Sequence, residues 1–327
     1  MRRLLTLRPL TLLLIAIILV AAAYAFVMGS YEGAGPLTKP RTVTLESGSS
    51  ARAIAAKLAQ EGVIASERMF LIGIWLSGKS DSLKPGEYEF PAHISEEGVA
   101  KKLAKGETVV RKMTFAEGMT STEIIEQLKI SSSFSGEITM AAEEGSLLPE
   151  TYHYGYGDPR DAILKRMREG MAKLLKELWP KRATGLPLES PEQALVLASI
   201  IERETPLAEE RPLVARVFFN RLKIGMPLQS DPTVIYALTE GKEPLDRALT
   251  RDDLKTDSPY NTYVTKGLPP GPIANPGRAS IEAALNPGKT DALYFVADGK
   301  GGHVFAKTLD EHNKNVRRWR KINRASD

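Results

Sequence analysis

The chain contains no cysteine. Disulfides, thiolate nucleophiles and Cys-ligated metals are thereby excluded. Histidine is scarce: His93, His153, His303 and His312 are the only four, and none forms an HExxH-type pair, so no metal and no cofactor is expected. There is no GxSxG, no SxxK with its companion motifs and no Walker loop. Excess charge of one sign is small, with 44 Lys and Arg against 40 Asp and Glu. That balance lacks the dense basic clustering of a nucleic-acid binder, and no nucleic-acid partner is expected. A mild positive excess suits an anionic surface or polymer. At 327 residues, two or three domains are expected.

One long apolar run is present. Arg2, Arg3 and Arg8 precede "PLTLLLIAIILVAAAYAFVM", and Leu10 to Met28 is uncharged over 19 residues. That length spans a bilayer core of roughly 30 Å as a helix. Basic residues on its N-terminal side predict that residues 1–8 stay cytoplasmic and that the chain after a transmembrane helix at 9–28 lies outside. A cleaved signal peptide is the other reading, since Ala21 to Ala25 offers small-residue spacing, but the run exceeds a usual signal core.

Residues 29–41, "GSYEGAGPLTKPR", are rich in Gly and Pro and read as a linker. Next, "TVTL" alternates like a strand, and Ser49 or Ser50 can cap a helix with Ile54, Ala55 and Leu58 on one face. A second strand–turn–helix copy follows at 109–128, so 42–135 reads as a β-α repeat region, with 136–327 as a further domain. Such a repeat is a packing unit before it is a binding module.

Within 136–327, "DAILKRMREGMAKLLKELW" and "RPLVARVFFNRLKIG" read as helices, and "LYFVAD" and "HVFAKT" flank "GKGG" as a hairpin. The basic tail reads as helical. Residues 226–280 are rich in Pro, Gly, Asn and Asp and read as long irregular loops of the functional kind. The helix "SPEQALVLASIIERE" is the candidate for the chemistry. Ser190 is its N-cap, Pro191 its first position, and Gln193 completes a capping box.

That helix ends on two carboxylates. At about 100° per residue, Glu204 falls on the aliphatic side with Ile200 and Ile201, while Glu202 lies about 160° away. A carboxyl against apolar walls at a helix C-terminus has its ionised form disfavoured, as a general acid/base near neutral pH requires. The bland alternative is an ion pair from Glu204 to Arg216 or Arg221. Asp231, in "LQSDPTVIY", is the plausible second carboxylate, though Asp-Pro is also a common turn.

The blocks "LASIIERET", "VFFNRLKIGMPLQSDPTVIYAL", "YNTYVTKGLPPGPIANPG" and "LYFVADGKGGHVFAKTLDEHN" resemble the MltG (YceG-like) family of endolytic murein transglycosylases over residues 145–315. The resemblance implies an α+β fold: a membrane helix, a small LysM-like β-α subdomain, then a mixed α/β catalytic domain. It implies a single-pass inner-membrane protein with its C-terminal domain periplasmic or extracytoplasmic, peptidoglycan glycan strands as substrate and cell-wall synthases as partners. It assigns catalysis to Glu204, support to Glu202, and substrate contacts to Gln229, Asp231, Tyr260, Asn261 and Tyr263. The expected reaction cleaves MurNAc–GlcNAc bonds to leave 1,6-anhydroMurNAc ends. A non-catalytic glycan-binding scaffold and a hydrolytic muramidase are the alternatives. One departure is "LLPETYHYGYGD", where the family more often has a "GYLFPDTY"-like run.

Overall fold

The computed structural model describes residues 7–79 and 82–326. Arg2 and Arg3, and with them most of the segment expected to be cytoplasmic, lie outside the described residues. The chain is mixed α and β with short strands, and it divides into two compact units. The first contains residues up to Lys112 together with 153–158, and the second contains 113–152 and 159 onward.

The first unit begins with α1 (Leu7–Glu32), of which Leu10–Glu32 is long and apolar enough to cross a membrane. Its apolar side chains are exposed all round, Leu19 to 64% and Phe26 to 71%. A helix of that kind buries nothing within its own chain. Burial starts in its last turns, where Tyr31 is fully enclosed. The Gly/Pro-rich residues 29–41, read as a linker, are packed. Leu37 is buried, the Gly35 amide donates to the His93 carbonyl, and a Cβ on Gly35 would lie 2.0 Å from the Ile94 carbonyl oxygen.

After that segment come β1 (Arg41–Leu45), α2 (Ala51–Gln60), α3 (Glu67–Leu76), β2 (Gly86–Phe90) and α4 (Glu96–Lys105). The strands pair antiparallel with Val43 opposite Tyr88. Alternation sends Val43 and Leu45 into a core with Leu58, Phe70, Phe90 and Leu103. Ser50, Ser66 and Ser95 cap the three helices, each hydroxyl accepting from the N–H three residues on.

The unit boundary runs through β3 (Arg111–Thr114) and β4 (Thr151–Tyr154). Between them, α5 (Ser121–Ile130) starts with a capping box from Thr120 and Glu123. Both expected copies of the repeat therefore form a strand, a capped turn and a helix. In the second unit, α6 (Arg160–Leu178), α7 (Pro191–Glu204), α8 (Arg211–Lys223), α9 (Asp231–Thr239) and α10 (Arg278–Leu285) precede a hairpin of β5 (Tyr294–Ala297) and β6 (His303–Ala306). The closing helix α11 (Leu309–Ser326) packs on both hairpin strands.

The centre of this unit is α7. All eight residues from Ala194 to Ile201 are buried, with α10 and α8 as the helix's main neighbours and α9 also against it. Each buried aliphatic side chain there contributes roughly 1.5–3 kcal/mol. The Ser190 hydroxyl accepts from Gln193 N–H as expected, but the Gln193 amide oxygen accepts from Glu189 N–H, one residue before the cap. The 226–280 stretch contains α9 and the start of α10, where loops were expected. Proline in a helix's first turn removes only an N–H that has no partner there, so "SDPTVIYAL" starts a helix at Asp231 instead of a turn.

Candidate active site

Glu204 is the last residue of α7, and Thr205 leaves the helix in an extended conformation before Pro206. The Glu204 side chain emerges from the aliphatic core only partly exposed. The Ser230 hydroxyl, at the N-cap of α9, donates to Glu204 Oε1. Ser230 is fixed in turn: its N–H donates to Thr262 Oγ1 at 3.0 Å, and the Thr233 hydroxyl donates to the Ser230 carbonyl at 2.6 Å. The Thr233 and Thr262 hydroxyls are 2.8 Å apart. Ser230, Thr233 and Thr262 are all buried, so the chain of hydroxyls is shielded from water and couples two loops to the carboxylate.

Burial pushes the Glu204 carboxyl up to about 7. The Ser230 hydrogen bond opposes that by stabilising the anion, the Asp231 charge adds to it, and Arg221 opposes it. The negative end of the α7 dipole acts in the raising direction as well. No ion pair engages Glu204 among the described residues, so the bland alternative is not the arrangement observed. Arg216 donates to the Gly288 carbonyl at 2.7 Å. Arg221 donates to the carbonyls of Leu293 at 2.6 Å and Leu228 at 2.5 Å, and acts on Glu204 through its field.

Glu202 stands apart from this set. Its Oε1 accepts from Arg211 at 2.8 Å and its Oε2 from Gly277 N–H at 2.9 Å. Both partners of the ion pair are buried, with side-chain exposures of 4% and 7%. Burial raises its pKa, partly offset by Gly277 and Arg211. The two carboxylates of "ERE" thus meet different neighbours, as their places on the helix wheel predict.

The other expected site residues lie in the loops that meet Ser230 and in the first turn of α9. Gln229 is exposed, has a left-handed backbone with φ of 51°, and its N–H donates to the Thr262 carbonyl at 3.0 Å. Asp231 accepts from the Tyr263 hydroxyl at 2.6 Å. Burial raises the Tyr263 pKa, and the Asp231 bond adds to the effect, so the phenol stays a donor. Tyr260 packs on Tyr236 with ring centroids 4.8 Å apart. Asn261 is fully enclosed, and its amide donates to the Leu254 and Thr256 carbonyls at 3.1 and 2.8 Å while its Oδ1 accepts from Tyr263 N–H. It shapes the loop from inside. Among the described residues, no three His, Asp or Glu side chains converge as a metal-ligand set.

Sequence reasoning missed Ser230, Thr233 and Thr262, and offered Arg221 only as an ion-pair partner of Glu204. The signal was faint: hydroxyl residues interleaved with the more conspicuous polar ones in "LQSDPTV" and "YNTY".

The YceG-like family profile matches residues 43–318. The chain belongs to the YceG-like family. Among relatives, an endolytic murein transglycosylase of Bacillus subtilis is 36% identical over 305 residues, covering 83% of this chain and 82% of that protein. An endolytic murein transglycosylase of Streptococcus pneumoniae is 30% identical over 322 residues, and the match covers 84% of this chain and 57% of the pneumococcal one. A crystal structure of a yceG-like protein from Listeria monocytogenes is 33% identical, covers 84% of this chain and 99% of its own, and superposes with a TM-score of 0.49.

Proposed function

We propose that this YceG-like protein is an endolytic peptidoglycan lytic transglycosylase that cleaves MurNAc–GlcNAc bonds in nascent glycan strands and so ends strand elongation. The observation that carries the reading is Glu204: one carboxyl at a helix end, raised to about 7, with a buried hydroxyl donating to it. In its neutral form Glu204 gives its proton to the glycosidic oxygen as the C1–O bond breaks. The resulting carboxylate takes the proton of the muramoyl C6 hydroxyl, whose oxygen closes on C1 as a 1,6-anhydro ring. One residue serves as acid and then base, and the internal nucleophile is favoured entropically over water. Ser230 holds the anion between the two steps. Gln229, Asp231, Tyr260 and Tyr263 offer hydrogen bonds and ring faces to the sugars, Asn261 holds their loop, and Glu202 supports the helix from its other side.

The same reading assigns residues 1–8 to the cytoplasm, 9–28 to the inner membrane, 29–41 to the connection, 42–135 to a LysM-like β-α repeat region and 136–327 to a periplasmic or extracytoplasmic catalytic domain, with cell-wall synthases as partners. Support for the LysM-like part is the β1–α2–α3–β2 order with antiparallel strands. Names of the relatives favour an enzyme over a scaffold.

Digestion of purified murein in ¹⁸O-labelled water, followed by mass analysis, tests the reaction. New ends one water lighter than reducing ends and free of label are expected. Label at every new end would establish hydrolysis instead.

A further inference from the structure

The first unit carries an apolar stripe beside the base of α1. On α3, Ile72, Trp75 and Leu76 are exposed to 43, 71 and 39%. Their i, i+3, i+4 spacing puts them on one face. Arg68 is exposed one turn earlier on that face, and Lys79 follows just past the helix end. Isolated exposed apolar residues are ordinary, but a contiguous aliphatic and indole stripe marks an interaction surface.

Its position relative to α1 is set by close packing. The Tyr31 ring lies flat on α3, so that a Cβ on Gly73 would fall 2.2 Å from Tyr31 Cδ2. The Tyr31 hydroxyl is 3.5 Å from Ser77 Oγ, and Met28 packs on the same core. Tyr31 is about 4.5 Å along the helix axis from Met28, at about 1.5 Å per residue. The side of α3 toward α1 carries Gly73 and Ser77, and the side toward the core carries Phe70 and Ile74. The stripe occupies the side opposite the core, with Leu76 about a quarter turn and Trp75 about half a turn from the α1 contact. Because α3 packs on the last turns of α1, where the exposed apolar run stops, the stripe lies within one helix diameter, ~10 Å, of that end.

We propose that the Ile72–Trp75–Leu76 stripe inserts into the interfacial layer of the bilayer and seats the first unit on the membrane surface. The inference rests on the reading of α1 as a membrane span. An indole with flanking Arg68 and Lys79 matches that layer: the ring occupies the boundary region and the cations meet lipid phosphates. Insertion by roughly 5–10 Å is what an interfacial helix face reaches. The seated unit cannot swing freely, which holds residues 42–112 at the membrane.

The test uses the full-length chain in nanodiscs, with W179F and W319F leaving Trp75 as the only indole of three. Trp75 emission is expected to be blue-shifted in nanodiscs, and to be quenched more by lipids brominated at shallow chain positions than by lipids brominated deeply. A parallel variant, I18W with W75F, W179F and W319F, reports α1 itself. Quenching of the α1 reporter without quenching of Trp75 overturns this inference alone. Loss of quenching at both sites overturns the membrane reading of α1 beneath it. Trp75 shielded from aqueous iodide but unquenched by bromine would mean that a protein surface covers the stripe, and the inference falls.

Discussion

Glu204 and Glu202 differ by two positions and are held by opposite physics. Glu204 sits against aliphatic side chains with one hydroxyl donor, so its proton is retained to about 7. Glu204→Gln should fold normally and lose at least ~10²-fold in murein cleavage, because a general acid/base is removed. The variant also checks linkage. A carboxyl whose folded pKa exceeds its unfolded value is most favourable when protonated, and that stability is lost as pH rises from the unfolded value through about 7. Wild type should therefore weaken between pH 5 and 7.5 relative to Glu204→Gln. The difference is at most ~3 kcal/mol, and less because the carboxyl still meets solvent. Denaturant melts of both proteins across that range read it directly. Ser230→Ala removes the donor that favours the anion, so the alkaline limb of the cleavage rate should move to higher pH with a smaller rate loss. An unchanged limb would remove Ser230 from the account. Glu202→Ala leaves the buried Arg211 only the Glu117 carboxylate at 3.3 Å and strips Gly277 N–H of its acceptor, and should lower stability by about 1–3 kcal/mol. Glu202→Gln, which can still accept from Gly277, should be milder in both stability and cleavage. A Glu202→Gln protein that folds but is inactive would reverse the assignment within the pair.

Among elements, α7 and the two loops around Ser230 divide the work. α7 is rigid because eight consecutive residues are buried. The first turn of α9 is tied to the loop of Thr262 because the Thr233 and Thr262 hydroxyls meet away from water. Thr262→Val keeps the shape but leaves Ser230 N–H and the Thr233 hydroxyl short of a partner, at about 1–3 kcal/mol for an unsatisfied buried group. Cleavage should fall more than the melting temperature does, since Ser230 and Glu204 lose alignment while the α7 core stays intact. Equal loss in both would assign Thr262 to stability only. The helical pattern made α6, α7, α8 and the β5–β6 hairpin legible in sequence, since long periodic runs with clear caps and turns are set locally. α9 was not legible, because a proline and an aspartate at its start read equally as a turn. Proline is tolerated in a helix's first turn, and the contacts of that segment with Thr262 and Glu204, which the sequence did not show, favour the helix over the turn.

At the scale of the molecule, α1 is the one element among the described residues long and apolar enough to cross a membrane. Its exposed apolar run predicts that the protein stays in the membrane fraction, with its C-terminus on the extracytoplasmic side. A C-terminal alkaline phosphatase fusion should be active. Activity only of a reporter that works in the cytosol would contradict the orientation, and a mature chain starting near residue 26 would contradict the anchor.

Sequence alone determined what depends on neighbours along the chain. It set the apolar run from Leu10 to Met28, the Ser190 cap, and the separation of Glu202 from Glu204 on the wheel, because helical geometry converts spacing into direction. Tertiary structure decided what depends on residues far apart in the chain. Arg211 and Gly277 N–H took Glu202, Ser230 reached Glu204 across 26 positions, and Thr262 closed the hydroxyl chain across 32. The Gly/Pro-rich segment 29–41 shows the same limit. Its composition is that of a loose connection, yet Tyr31, Gly35 and Leu37 are enclosed by α3 and by residues 93–94. Local chemistry permits either state, and only the surfaces that the fold brings against those residues choose between them.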